Sequence, residues 1–328
     1  MKKIMITGAL GQIGTALVPV LQEKFGLKNV LATDIKQPGK DSLPSGTSFE
    51  TLDVRDMEKI GLLCRSQNID TIFHLAAILS ATGEKNPHLA WEVNISGTRN
   101  ILETARQLKL KRVFIPSSIA VFGPETPRQN TPQDTILLPR TIYGITKVTG
   151  ELLGDYYVRR FGLDVRGCRY PGIISHEAPP GGGTTDYAVE IFYQAVKNKK
   201  YTCFVKEETR LPMMYMPDCL KAAIDLMEAD FKKLKHHSGF NVGAMNFSAG
   251  ELAGEIKKHL PEFNCTFAPD YRQEIAECWP NSVDDSAARE EWGWEPEYDL
   301  KSMTEDMLRV LKKGNIPQRD TPSPEEMS

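Results

Sequence analysis

The chain has 328 residues, 41% of them hydrophobic, and a formal net charge of −3. That length suits one large α/β domain with an appended lobe, and the apolar share is enough for a sizeable core. The charge balance, with no basic cluster interleaved with aromatics, excludes a nucleic-acid-binding field, and no apolar run approaches a bilayer span.

The first segment, KKIMIT (2–7), enters a strand at once, leaving no visible signal or transit peptide. A cytoplasmic location is expected, with the mitochondrial matrix as the alternative. The scattered Cys64, Cys168, Cys203, Cys219, Cys265 and Cys278 contain no C-x-x-C pair and read as small apolar residues of a reducing compartment. Residues 12–25 carry helical spacing in Ile13, Leu17, Val20 and Leu21, and strands follow at 29–34 and 48–53. A helix over 56–66, a strand over 70–77 and a long helix over 87–107 come next, the last opening at Pro87. A strand (111–118), a helix (141–161) and a strand (164–171) complete the alternation.

This rhythm predicts a Rossmann-type, doubly wound parallel sheet with helices on both faces over residues 1–171. It breaks at H-E-A-P-P-G-G-G (176–183), a loop with special backbone needs. Residues 172–313 read as a smaller C-terminal α/β substrate lobe, interleaved with the main domain. Residues 314–328 lack an apolar period and read as a loose tail.

Gly8, Gly11 and Gly14 follow the first strand and open the first helix. One glycine permits the tight turn and the next lets a pyrophosphate approach the backbone. The third lets helix and strand pack, with the helix N-terminus facing the phosphates. Asp34 lies 20 residues past Gly14 at the end of the next strand. A carboxylate there binds a ribose 2′-OH and repels a 2′-phosphate, so NAD is expected rather than NADP.

Tyr143 and Lys147 lie four apart, on one face of a helix. A tyrosine, with a reference pKa of about 10, is a poor base at neutral pH. A nearby ammonium and the positive nicotinamide ring favour the phenolate. Tyr143 can then take a proton from a substrate hydroxyl while hydride leaves the adjacent carbon. Lys147 would also hold the ribose hydroxyls, and a hydroxyl from Ser118, at a strand end, would orient the substrate oxygen. The six histidines form no metal-ligand spacing, so no metal is expected, and His236 and His237 read as a solvated loop. Cys168, Trp91, Trp292 and Trp294 read as packing.

The spacing T-G-x-x-G-x-x-G resembles the short-chain dehydrogenase/reductase family in its extended, epimerase-like branch. Asp53-Val54 matches the adenine-side pair after the third strand, and H-L-A-A (74–77) the strand end beside the cofactor. V-N-I-S-G-T (93–98) carries the branch's Asn94. P-S-S-I-A-V-F-G (116–123), aligned to select Ser118 over Ser117, and Y-G-I-T-K (143–147) complete a set spanning residues 1–175. The resemblance implies cofactor contacts from Gly8, Gly11, Gln12, Ile13, Gly14, Asp34, Asp53, Val54, Leu75, Ala76, Ala77, Asn94, Tyr143, Lys147 and Tyr170.

Epimerases of this branch hold a nucleotide diphosphate with arginines, whereas L-P-M-M-Y-M-P-D (211–218) puts Met213 and Met214 where they often carry an Arg-Asp pair. Five segments resemble instead the short-chain type of L-threonine 3-dehydrogenase, a likeness reaching to about residue 313. They are L-S-A-T-G-E-K-N-P (79–87), P-S-S-I-A-V-F-G-P (116–124), P-P-G-G-G-T-T-D-Y-A (179–188), L-P-M-M-Y-M (211–216) and W-P-N-S-V-D-D-S-A-A-R (279–289).

That resemblance implies NAD-dependent oxidation of the C3 hydroxyl of L-threonine to 2-amino-3-ketobutyrate. The product decarboxylates to aminoacetone or passes to a CoA ligase that makes glycine and acetyl-CoA, so a functional link to that ligase is implied. So is a homodimer paired through the helices at 87–107 and 141–161. A nucleotide-sugar 4-epimerase or dehydratase is the alternative. A zwitterionic substrate needs donors for its carboxylate and acceptors for its ammonium. Ser80, Ser118, Tyr143, Thr184, Thr185 and Trp279 are the substrate candidates, with the backbone N–H groups of Gly181, Gly182 and Gly183 in a closing loop. Asp186 serves the ammonium or caps the helix that follows, the cap being preferred.

Overall fold

A computed structural model describes residues 1–40, 42–177 and 183–314. The strands are β1 (Ile4–Thr7), β2 (Val30–Asp34), β3 (Ser48–Thr51), β4 (Thr71–His74), β5 (Arg112–Phe114), β6 (Ser117–Ser118) and β7 (Asp164–Arg166). They continue as β8 (Cys168–Tyr170), β9 (Gly172–Ile174), β10 (Lys200–Cys203), β11 (Arg210–Tyr215), β12 (Phe240–Asn241), β13 (Met245–Ser248) and β14 (Asn264–Phe267). The helices are α1 (Gln12–Phe25), α2 (Met57–Ser66), α3 (Ser80–Lys85), α4 (Pro87–Trp91), α5 (Gly97–Gln107), α6 (Ile142–Phe161), α7 (Tyr187–Asn198), α8 (Met216–Glu228), α9 (Ala249–His259), α10 (Arg272–Glu277), α11 (Ser286–Trp292) and α12 (Leu300–Lys312).

The main sheet runs β3-β2-β1-β4-β5-β7 with every pair parallel. β1 and β4 are buried along their whole length, as parallel strands covered on both faces must be. One face packs on α2, α5 and α6 through Ile60, Ile101 and Tyr157; the other packs on α1 and α8 through Leu17, Cys219 and Ala223. The strand order reverses between β1 and β4, so their C-terminal ends open the crevice in which such sheets take ligands.

Local signals set the helix ends. The Asp56 side chain accepts the N–H of Lys59 at the start of α2, Asn86 accepts that of Leu89 before Pro87, and Thr141 accepts that of Gly144 at the start of α6. Gly162, with φ +66°, ends α6 in the left-handed conformation. α4 and α5 are one long helix interrupted by a π turn at Glu92–Ser96.

Two predicted strands are each split. The 111–118 run breaks at Pro116, which has no N–H to offer a ladder, and its last two residues form β6. The 164–171 run breaks at Gly167, where a Cβ would lie 2.3 Å from the Ile115 carbonyl oxygen. β6 and β8 leave the main sheet and pair in a second one, β12-β8-β6. The strand predicted over 70–77 stops at His74, and α3 lies in a stretch with no predicted element.

The chain past residue 171 returns to the main body. Met214, Met216, Cys219 and Val242 share one hydrophobic cluster with Ile4 and Ile6. A separate core joins α7, α9 and α12 to the mixed sheet β13-β11-β9. Trp292 and Trp294 pack in the main cluster and Cys168 is fully buried, but Trp91 does not pack: it is 48% exposed. Nor is His236 solvated, since its Nδ1 lies 2.5 Å from Glu291 Oε1. Among the described residues, no His/Cys/Asp/Glu group is arranged to hold a metal, and no helix is long and apolar enough to cross a membrane. The tail predicted at 314–328 lies outside the described residues apart from Gly314.

Candidate active site

The C-terminal ends of β1, β4 and β6 meet the start of α6 around a cleft of about 250 Å³. Gly8, Gly11, Gln12, Ile13 and Gly14 line one end. Gly8 has φ +70°, and a Cβ on it would stand 2.6 Å from the Ala76 nitrogen. On Gly14 a Cβ would stand 2.3 Å from the Gly8 carbonyl oxygen. On Gly11 it would meet only that oxygen, at 3.2 Å. The protein's own backbone therefore requires Gly8 and Gly14, while Gly11 is bare on the side that lines the cleft at the N-terminus of α1. A cradle with backbone N–H groups at a helix N-terminus fits a dinucleotide pyrophosphate.

Asp34, at the end of β2, accepts the N–H of Leu10 at 3.0 Å and of Lys36 at 3.1 Å, which ties the glycine turn to β2. Leu75 and Ala77 line the cleft after β4, and Ala76 lines a small cavity behind it. Asp53 and Val54 stand outside the cleft lining. Asp53 is gripped by Arg55, with Nη2 at 2.5 Å, and that hydrogen bond holds its carboxyl below the usual range. Val54 is buried against Gly97, and its carbonyl accepts from Asn100. Asn94, inside the π turn, clamps the loop after β4 by accepting the Ile78 N–H at 2.7 Å and donating to the Ile78 carbonyl at 3.0 Å. Its amide also donates to Thr146 Oγ1 on α6. Tyr170 lines the cleft with its ring while its hydroxyl donates to the Cys219 carbonyl.

Ser118, Tyr143 and Lys147 come together at the middle of the cleft. Ser118 Oγ accepts the Ala120 N–H, and its hydroxyl stands beside the Tyr143 phenol, where it acts to lower the phenol's pKa. Ser117, its neighbour, is turned the other way and donates to Glu151. Lys147 lies with Nζ 5.4 Å from the centre of the Tyr143 ring and donates to the Pro116 carbonyl at 2.7 Å. Burial pushes the Tyr143 phenol up to about 12, with the Ser118 hydrogen bond opposing it. Burial also brings Lys147 down to about 8, against the charge of Glu151. The phenolate is expected from Lys147 together with the nicotinamide ring; in the protein by itself burial sets the direction for Tyr143.

Ser80, Thr184, Thr185 and Trp279 line the far end. Gly172 makes room there, since a Cβ on it would stand 2.8 Å from that of Thr185. Asp186 precedes α7 but its side chain does not cap that helix; it accepts the N–H of Gly183 at 2.8 Å. Gly181 and Gly182 lie outside the described residues. Sequence reasoning missed Gly172 and the Ser117–Glu151–Arg169 cluster behind the cleft, although Glu151 repeats the Tyr143–Lys147 spacing once more along α6.

His74 closes β4 under the cleft, fully buried between Thr7 Oγ1 at 2.8 Å and Thr98 Oγ1 at 3.2 Å. Burial, assisted by the Lys147 charge, lowers it from 6.5 to about 3. Below about pH 6.5 the unfolded chain binds a proton that the fold refuses, so acidification removes stability by up to about 1.4 kcal/mol per pH unit. Urea midpoints at pH 7 and pH 5 should therefore fall further for the wild type than for His74→Gln; equal slopes would remove His74 from this role.

The glycine turn, the acidic end of β2 and the serine–tyrosine–lysine set define an NAD-dependent oxidoreductase, and residues 4–243 match the NAD dependent epimerase/dehydratase family, to which the chain belongs. Its solved relatives narrow the class. It is 49% identical to L-threonine dehydrogenase from Clostridium difficile, with a TM-score of 0.94 over 97% of this chain and 99% of that one. It is 48% identical to the GalE-like L-threonine dehydrogenase of Cupriavidus necator in its holo form, with a TM-score of 0.92 over 94% of this chain and 100% of that one. An uncharacterized epimerase/dehydratase of Staphylococcus haemolyticus is 50% identical over 95% of this chain and 98% of its own length. The UDP-glucose 4-epimerase of Thermotoga maritima shares the fold at a TM-score of 0.84 and 22% identity.

Proposed function

We propose that this protein oxidises the C3 hydroxyl of L-threonine to 2-amino-3-ketobutyrate. The observation that carries the reading is the lining of the cleft: the Ser118–Tyr143–Lys147 set opens onto Ser80, Thr184, Thr185 and Trp279, and Lys147 is the sole cation among the described lining residues. A nucleotide sugar brings a diphosphate that calls for arginines. A small zwitterion needs one cluster of hydroxyl and amide donors and one carboxylate, for which Asp186 stands beside Thr185. Met213 is buried behind Gly172, where a charged contact to a larger ligand would otherwise stand. The similar solved structures are L-threonine dehydrogenases, which supports the same choice.

In this reading Ser118 donates to the substrate C3 oxygen and fixes it against Tyr143. Tyr143, as phenolate, takes the hydroxyl proton. Bound NAD would supply the hydride acceptor, a nicotinamide ring that is positive until the hydride arrives. Lys147 would hold the cofactor ribose, and its ammonium would steady the phenolate. Gly8, Gly11, Gln12, Ile13 and Gly14 would cradle the pyrophosphate and Asp34 would take the ribose hydroxyls, while the adenine contact of Asp53 and Val54 rests on the family likeness, since both stand outside the cleft lining. Leu75, Ala76 and Ala77, with Asn94 holding the loop beyond them, and the Tyr170 ring complete the cofactor walls. Asp34→Ala is expected to weaken NAD roughly tenfold and to narrow the preference over NADP. Titration of both dinucleotides checks it, and an unchanged ratio counts against the ribose contact.

The exposed apolar residues Ile145, Leu152 and Tyr156 on α6, with Trp91 on α4, support a homodimer paired through these helices. The β-keto acid product calls for a following decarboxylation or a CoA-dependent cleavage, hence the functional link to a ligase. A cytoplasmic setting accords with the free thiols of all six cysteines. The experiment that tests the function is absorbance of NADH with purified protein, NAD and, in parallel, L-threonine, D-threonine, L-serine and UDP-glucose. A rise with L-threonine alone is expected. Tight UDP-glucose binding without net NADH would replace this reading with an epimerase.

A further inference from the structure

We propose that Glu151 is a positioning residue for this reaction: it locks the strand end that carries Ser118 and supplies the counter-charge behind the Lys147 ammonium. The inference rests on the function proposed above. Tyr143, Lys147 and Glu151 follow one another at successive turns of α6, so all three face the same side. The Glu151 carboxylate joins three elements. Its Oε1 accepts the Ser117 hydroxyl at 2.5 Å, next to Ser118 on β6. Arg169 on β8 grips it from the other side, with Nε 2.9 Å from Oε1 and Nη2 2.8 Å from Oε2. Gly239 leaves it room, since a Cβ there would lie 2.5 Å from Oε2.

Glu151 and Lys147 also face one small cavity of about 20 Å³, which Ser117 and Ser238 help to line. Ser238 is 3% exposed and its hydroxyl has no protein partner. A space of that size with these polar groups on its wall suits a single water, and across it the Glu151 charge supports the Lys147 ammonium against burial. The other titratable groups around this point are accounted for. His74, on β4, is held neutral by burial. Asp155 and Arg159 on α6, Asp134, and Lys235, His236 and His237 ahead of β12 lie on the outer side of the Glu151–Arg169 pair. Asp134 there is 88% exposed, and solvent screens charges so placed.

Without the carboxylate, burial acts unopposed to discharge the Lys147 ammonium. Glu151→Gln is therefore expected to move the alkaline limb of kcat/KM for NAD, which reports the free enzyme, to lower pH by about one unit. Glu151→Asp, which keeps the charge, should leave the limb in place even with a lower amplitude. A Glu151→Gln profile of wild-type shape would overturn the proposal and leave Glu151 as half of a structural ion pair. If that variant does not fold, the double variant Glu151→Gln/Arg169→Gln removes both buried charges together, and the same acid-ward shift is expected, because the carboxylate is the member that faces Lys147. The ¹³Cε titration of Lys147, assigned with Lys147→Arg, reads the shift without substrate. A wild type inactive on L-threonine would refute the substrate reading, and the Lys147 titration would still decide the role of Glu151.

Discussion

Tyr143→Phe is expected to lower kcat on L-threonine by about 10³-fold, with the Kd for NAD changed only a few-fold. The phenol lies at the middle of the cleft with the Ser118 hydroxyl beside it. Lys147 cannot replace it, since its ammonium donates and its nearest acceptor is a backbone carbonyl. Because burial holds the phenol near 12 before any ligand enters, the wild-type rate should climb with pH through the neutral range. The Phe variant should lose that climb together with the rate. Stopped-flow turnover from pH 6 to pH 10, paired with NAD binding by calorimetry, separates the effects. A Phe variant of wild-type rate would hand the proton to another group.

Gly14→Ala and Gly11→Ala should fail in different ways. At Gly14 the added methyl meets the Gly8 oxygen at 2.3 Å and the Ala9 backbone at 2.7 Å, so the turn itself must move. Overpacking of that kind costs roughly 1–3 kcal/mol, and the displaced turn should lose NAD by at least about a hundredfold, or about 2.7 kcal/mol. At Gly11 the nearest atom is 3.2 Å away. The fold should keep its melting temperature within a few degrees while NAD weakens about tenfold or more, since the methyl projects where the pyrophosphate approaches. Melting curves with and without NAD check both. Equal loss of stability in the two variants would mean that Gly11 is as structural as Gly14.

The cofactor half was legible because its signals are local. Three glycines, one acidic strand end and two residues four apart on a helix each act over a few positions. The splits at Pro116 and Gly167 were not legible, because they depend on where a distant chain segment lies: Gly167 has no room for a side chain owing to Ile115 and Ser238. Trp91 defeated the reading for a related reason. A tryptophan on a periodic helix reads as core, and nothing in the sequence says which face is left uncovered. The Asp186 cap failed because the preceding turn draws its carboxylate back to Gly183. The burial of Tyr143 is likewise something no spacing reports.

The placement of β6 has a consequence for how the protein comes into being. Its partner β8 has β12 as its other neighbour, and β12 closes at Asn241. α8, which covers one face of the main sheet, is likewise made late. A nascent chain that has delivered every residue up to Lys147 therefore holds the glycine turn, Asp34, Ser118, Tyr143 and Lys147, yet lacks the segments that fix Ser118 and seal Ile4 and Ile6. The packing around β6 and β1 is complete only once about a hundred more residues have emerged, so the first half of the chain depends on the second for its finished core.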